Sequence, residues 1–505
     1  MRVTGGILAG LVLLQLGVGL WRLTHVPVMA TGDPAWYFVV ARNFAEGRGL
    51  TDTVLWTYLG NPEPVSRPAG AYWQIGWPLI LGGLMQVAGH LPSDAMRISV
   101  ILSSLVPVLV FWIALRAFAG NPWPAGLAGL LCVLQMRLWH ENVNPNVTVP
   151  YQIAVLLALA AVLALLRAPT ARSVVMAGLA LALPAYLRVD GLVPLAAAVV
   201  VVLGWADAPR GHRVLLAAGM ATIAAVALAP LAAYTVHTFG TLVPEPRRLA
   251  PWMTSYVDLF RYPCPVSEAR WHADPARWST FWQTLRVHLG TSFSDHPVGL
   301  APLGIAGLVT RVLPTPTRAA IGIFLLASML VPPLAAPAGA NAARFLFMAA
   351  PLLCIPAAAA IAWLWTERRW RVAALVLTVA CVIPRLDMVK DAEGGEIPPG
   401  FLWSHLRHAD LNPEGLPRLR PEDVVISEDS WRVAAYLDVA AMQSPFPALD
   451  AFAALQAYRP GYAIVDRGGY LEGLLRRIQP SPLRVIYRDG QVTWYAFMWP
   501  ARPSR

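Results

Sequence analysis

Charge is what this sequence has least of. Only 13% of its 505 residues are charged while 57% are hydrophobic, against roughly a quarter charged in an ordinary soluble domain. That scarcity excludes a soluble globular protein. Cysteine is scarce too: Cys132, Cys264, Cys354 and Cys381 fall mostly inside apolar runs, with neither metal-ligand nor disulfide spacing. A disulfide scaffold and a thiolate metal site are both excluded. No internal repeat is visible, which argues against the two similar halves of many secondary transporters. The net charge of +10 does not point to nucleic acid, because the arginines sit mainly in short connections between apolar runs.

What the chain has in abundance is long apolar stretch. Windows near 5–28, 97–118, 123–140, 148–166, 173–187, 191–206, 214–236, 297–312, 319–337, 345–365 and 371–385 predict about eleven transmembrane helices. The first is read as a retained span, since no small-x-small cleavage site is evident. With the N-terminus inside, Arg116, Arg167 with Arg172, Arg210 with Arg213, Arg311 with Arg318, and Arg368, Arg369 and Arg371 all fall in inner connections, as the positive-inside rule requires. The long polar regions 30–96 and 237–296 and the tail then face outward. Segment 74–90 is apolar but short, and reads as a helix lying on or re-entering the membrane.

The predicted fold class is therefore an α-helical polytopic membrane protein with a small extracytoplasmic α/β domain. The membrane part covers 1–385 and a linker 386–420. From 421 the pattern changes, with strands expected at 423–427 and 462–466 and helices at 430–437, 448–457 and 470–478. A hairpin over 485–495 has Asp489-Gly490 at its turn.

Candidate chemistry gathers on the outer side. Asp33 stands just beyond the first span, where a carboxylate costs desolvation free energy and marks a functional site; it would also serve as an N-cap before Pro34. Because Pro34 follows, there is no adjacent acidic pair of the kind that chelates a hard divalent cation. Tyr37, Arg42, Glu46, Tyr58, Arg67 and Tyr72 share this loop with Trp36, Trp56, Trp73 and Trp77, and the last two read as an interfacial belt. His140-Glu141-Asn142-Val143-Asn144-Pro145-Asn146 is a polar outer turn, either solvated or functional. Arg188 and Asp190 form a self-satisfied pair or leave Arg188 facing an anionic headgroup. Arg344 opens the tenth span on the same side. A carboxylate and two arginines at one membrane face suit a reaction in which a phosphate leaves and a nucleophile loses a proton.

The ordered set of elements resembles the GT-C superfamily of membrane glycosyltransferases, which includes protein O-mannosyltransferases and the bacterial aminoarabinose transferase. The matching elements are Asp33, Tyr37, Ala41, Arg42, Gly47 and Gly49; Pro68 with Gly76-Trp77-Pro78-Leu79; Leu187 to Gly191; Phe239 to Pro244; and Ala343 to Leu346 before Pro351. The resemblance implies transfer of a sugar from a polyprenyl-phosphate donor to an acceptor at the outer face of the cytoplasmic membrane. Lipid, polysaccharide and protein all stay open as acceptors. It implies Asp33 as general base, Arg188 and Arg344 at the donor phosphate, and Tyr37, Arg67, His140 and Glu141 at the acceptor or loop. Where many relatives have Asp-Glu or Asp-Asp this chain has Asp33-Pro34, which points away from a metal-dependent mechanism; the reaction expected is inverting and metal-independent, with no cofactor. The competing readings are a membrane transporter or lipid flippase, and a membrane-anchored binding protein whose tail is the receptor.

Overall fold

The computed structural model describes residues 2–25, 29, 32–62, 64–135, 142–294, 300–335, 342–382, 419–445, 448–466, 469–477, 483–488 and 492–499. Every predicted apolar window contains helix, and the protein is a polytopic helical membrane protein. Arg2–His25, Pro92–Ala117, Thr148–Arg167 and Arg210–Phe239 are each long and apolar enough to cross a bilayer alone. Ala350–Thr366 and Arg368–Thr378 meet at 117°, and shorter apolar helices fill the bundle. The window at 97–118 is two helices, Pro92–Ser103 and Leu105–Ala117. The window at 297–312 supplies only Leu300–Val309.

The arginines of the short connections between apolar helices also have local structural partners. Arg213 donates to the carbonyls of Leu203, Gly204 and Ala208 at the end of Val193–Trp205, and Arg318 to those of Val309 and Thr310. Arg371 donates to the carbonyl of Trp365 and Arg167 to that of Arg116. The last carbonyls of a helix have no partner within it. These cations supply partners and also face the negative end of the helix dipole.

On the other side, the helix Asp33–Ala45 packs against the short helix Gly76–Ala88. Gly82 permits the close approach: a Cβ there would lie 2.6 Å from the Ala41 carbonyl oxygen and 2.8 Å from the Phe44 ring. The opposite face of Gly76–Ala88 exposes Ile80, Leu84 and Val87, as a helix lying along a membrane does. Gly82→Val is expected to cost about 1–3 kcal/mol by overpacking, whereas Gly83→Val, with open space around it, is neutral. Melting of the two variants in detergent tests this, and equal midpoints would place the helix contact elsewhere.

The tail forms a sheet in the order β2-β5-β4-β6-β8-β7. Here β4 is Val424–Ser427, β5 Ala440–Gln443, β6 Tyr462–Asp466, β7 Leu483–Arg488 and β8 Val492–Phe497. Strands β4, β5 and β6 are parallel, and β6, β8 and β7 antiparallel. The expected strands at 423–427 and 462–466 and the three expected helices are all present. The tip of the predicted hairpin lies outside the described residues.

Strand β2 does not come from the tail. It is Val54–Leu55 of the first outer loop, paired parallel to β5 with Val54 opposite Ala441 and Leu55 opposite Met442. The tail sheet therefore takes one edge strand from the membrane part, and the two are joined by backbone hydrogen bonds. Two-residue strands β1 (Thr51–Asp52) and β3 (Arg67–Pro68) form a separate antiparallel ribbon in the same loop.

Candidate active site

The helix Asp33–Ala45 starts because Gly32, at φ 82°, serves as its N-cap and Pro34 occupies the first turn, where a missing N–H costs nothing. Asp33 is thus the first helical residue. This corrects the N-cap expectation by one position: Gly32 takes the turn conformation that the cap needs. The Asp33 carboxylate is half-buried at the helix start.

Tyr37 follows one turn later on the same face and is buried. Tyr72 comes to this face from beyond β3. Burial pushes the Tyr72 phenol well above its usual range, the neighbouring Tyr256 and Asp33 push it further, and Arg188 opposes them. One phenol therefore senses both Asp33 and Arg188. At any working pH Tyr72 is a neutral donor and not a base.

Arg188 closes the helix Ala171–Leu187. Its Nε donates to Asp190 Oδ1 at 2.8 Å and its Nη2 to Oδ2 at 3.3 Å, and the guanidinium lies 5.5 Å from the Tyr151 ring centroid. The self-satisfied pair is therefore present, as a two-pronged fork that orients the cation. Gly191 makes the fork possible: the short turn folds back so tightly that a Cβ there would sit 2.1 Å from the Pro184 carbonyl oxygen. The Leu-Arg-x-Asp-Gly element is a device for presenting Arg188.

Arg247, from the second outer loop, donates to the backbone carbonyls of Gly70, Tyr72 (2.9 Å) and Trp73 (3.3 Å) and to Gln74 Oε1 (3.1 Å). Burial pushes its guanidinium down to about 10, with Tyr37 opposing. It remains a cation at neutral pH and fixes the stretch that carries Tyr72.

Other expected residues lie elsewhere. The β1–β3 register sets Arg67 opposite Asp52, and the two pair at 3.1 Å. Burial raises the Asp52 carboxyl and Arg67 counteracts it. Arg67 lines a narrow cleft with Trp36, Trp56, Tyr72 and Trp73, so Tyr72 is the wall shared by this cleft and the Asp33 cluster. Trp56 stacks on Trp73 (4.3 Å) and on Trp431 of the tail (5.1 Å).

Trp73 and Trp77 are accordingly not an interfacial belt. Trp73 belongs to an aromatic core joining loop and tail, and Trp77 is 1% exposed and donates to the Pro145 carbonyl at 2.9 Å. Covered in this way, Asn142, Asn144 and Asn146 are buried, so this part of the polar turn is not solvated. His140 and Glu141 lie outside the described residues. Arg344 stands in the first turn of Ala342–Thr366, with its side chain outside them.

Asp33 and Tyr37 thus share a helix face near Tyr72, Arg188 lies within electrostatic reach of both tyrosines, and Arg67 lines the neighbouring cleft with Trp36, Tyr72 and Trp73. Tyr151, Tyr256 and Arg247 were not singled out as site residues from sequence. Nothing local in the sequence marks these three residues.

No protein-family model matches the chain, and no curated protein matches its sequence. Solved structures do match. The fold is similar to that of two kinds of membrane enzyme, an oligosaccharyltransferase and ArnT. The oligosaccharyltransferase of Archaeoglobus fulgidus in its apo form superimposes with a TM-score of 0.60 at 13% identity, covering 92% of this chain and 69% of that one. ArnT from Cupriavidus metallidurans, bound to undecaprenyl phosphate, superimposes with a TM-score of 0.59 at 15% identity, covering 96% and 98%. The archaeal enzyme AglB in complex with an inhibitory peptide and a dolichol-phosphate gives 0.57 at 13% identity. The expected membrane fold with its small tail domain is the one found.

Proposed function

We propose that the protein is a glycosyltransferase that moves a sugar from a polyprenyl-phosphate donor to an acceptor hydroxyl at the outer face of a cytoplasmic membrane, without metal and with inversion. The observation that supports this reading is a carboxylate at the start of its helix, Asp33, together with a guanidinium fixed by a two-pronged bond, Arg188 on Asp190 at 2.8 and 3.3 Å. In the proposed reaction the acceptor hydroxyl gives its proton to the Asp33 carboxylate and its oxygen attacks the anomeric carbon from the face opposite the phosphate. The bond from that carbon to the phosphate oxygen breaks and polyprenyl phosphate leaves, its charge met by Arg188 and by Arg344. Tyr37 and Tyr72 donate hydrogen bonds as neutral phenols. Arg67, His140 and Glu141 are assigned to the acceptor side. Two of the structural relatives carry polyprenyl phosphates of the proposed kind, undecaprenyl phosphate in one and dolichol-phosphate in the other.

Detection of a sugar-bearing polyprenyl phosphate by mass spectrometry of lipid co-purified with the protein, followed by transfer of that sugar in nanodiscs, tests the reading. A tightly held lipid without a phosphate would sink it. Metal independence rests on Pro34 following Asp33, and predicts that transfer survives EDTA. Loss of transfer on chelation, restored by Mg²⁺ or Mn²⁺, would require a divalent ion as Lewis acid.

A further inference from the structure

The segment that carries Asp33 is held on both sides by one helix of the tail, Ser430–Leu437. Before Asp33, the buried Met29 amide donates to the Tyr436 hydroxyl at 2.9 Å. Beyond it, on the Asp33 helix itself, Arg42 donates to the carbonyls of Ala435 (2.8 Å) and Ala434 (3.0 Å) and meets the Asp438 carboxylate at 2.6 Å. Arg42 is only 3% exposed. Its charge thus caps the carbonyl end of the tail helix, where partners are missing and the dipole is negative. Asp438, in the left-handed region at φ 53°, turns its carboxylate back toward this junction. Arg48, carried between Gly47 and Gly49 at φ 79° and 76°, reaches the same carboxylate at 2.9 Å.

Burying an arginine is compensated only when its partners are in place. The junction is therefore specific in register: slipping the tail helix by one residue would strip Arg42 of its carbonyls and Met29 of its acceptor together. An adaptable acceptor-binding module would not be anchored through a desolvated cation to the very helix whose first residue is Asp33.

We propose that Ser430–Leu437 is a brace that sets the orientation of Asp33, with Tyr436, Arg42 and Asp438 as positioning residues. As a claim about catalysis this rests on the role given to Asp33 above. Its physical content, that the tail helix anchors Met29 and the helix Asp33–Ala45, does not.

The test uses the full chain in nanodiscs with Tyr436→Phe, which removes one hydroxyl, and Asp438→Asn. Hydrogen exchange at the Met29 amide and through the first turn of Asp33–Ala45 is expected to quicken about five- to tenfold. The kcat of transfer is expected to fall about tenfold to a hundredfold, with donor KM little changed, because a small misplacement of a catalytic group is costly. In an Asp33→Asn background Tyr436→Phe should cause no further loss. Unchanged exchange in both variants overturns the brace. An equal further loss of kcat in the Asp33→Asn background overturns positioning in favour of general destabilisation. Should Asp33→Asn alone retain full transfer, the role of Asp33 falls while the exchange data still decide whether the brace exists.

Discussion

Asp33→Asn is expected to yield a folded, membrane-inserted protein whose sugar transfer is lowered about a hundredfold or more. Folding should survive because Gly32 supplies the N-cap, Pro34 is untouched and Asn is isosteric with Asp and suits a helix start. The loss should appear in kcat and in kcat/KM alike, since an amide of the same shape binds an acceptor but cannot take its proton. Two of the described neighbours cannot substitute. Tyr72 is held as a neutral phenol, and Asp190 is held by the Arg188 fork. Single-turnover transfer of a labelled sugar, with thermal melting measured in parallel, is the appropriate experiment. Near-normal turnover in a well-folded variant would remove Asp33 as the base.

The membrane architecture was legible in the sequence because its signals are local. Apolar length, the arginines of alternate connections and the Asp33-Pro34 helix start are each contained in a short stretch. The same holds for β4, β6 and the tail helices, which pack as continuous apolar runs or amphipathic turns. What escaped is long-range. Val54 and Leu55 look like any apolar dipeptide in an aromatic loop, and only pairing with Ala441 and Met442, far along the chain, makes them a strand. Strand β5 itself, Ala-Ala-Met-Gln, has weak strand propensity and is held by its neighbours on both sides.

The site shows the same division. Arg42, Gly47 and Gly49 stood out in sequence as one element of a family pattern and were read together with the Asp33 chemistry. Their structural work is mechanical, because the glycines turn the chain so that Arg48 joins Arg42 on Asp438. The resemblance implies Arg67 on the acceptor side, and the β1–β3 register pairs it with Asp52 there. Of the two expectations for Arg188, the pair with Asp190 is present, and an arginine so paired at a membrane edge can still face a headgroup.

Replacing Arg188 by Lys is the companion experiment, with a donor affinity expected to fall about tenfold to a hundredfold while acceptor affinity holds. Lysine keeps the charge but loses the planar fork through which Nε and Nη2 now grip the two Asp190 oxygens. A phosphate at the outer end of Ala171–Leu187 would then meet a mobile ammonium in place of a fixed guanidinium. Asp190→Asn separates this from a purely structural role. If the pair served only to close the turn over Gly191, Arg188→Lys and Asp190→Asn would lower the melting midpoint alike and leave donor affinity unchanged in both. If Arg188 holds the phosphate, only the substitution at Arg188 removes the guanidinium itself, and donor affinity should fall far more in Arg188→Lys than in Asp190→Asn. Arg344→Lys, in the first turn of Ala342–Thr366, should follow Arg188→Lys in weakening donor more than acceptor. Unchanged donor affinity in both lysine variants would make these arginines packing residues and move the search for the phosphate site to the cleft lined by Arg67.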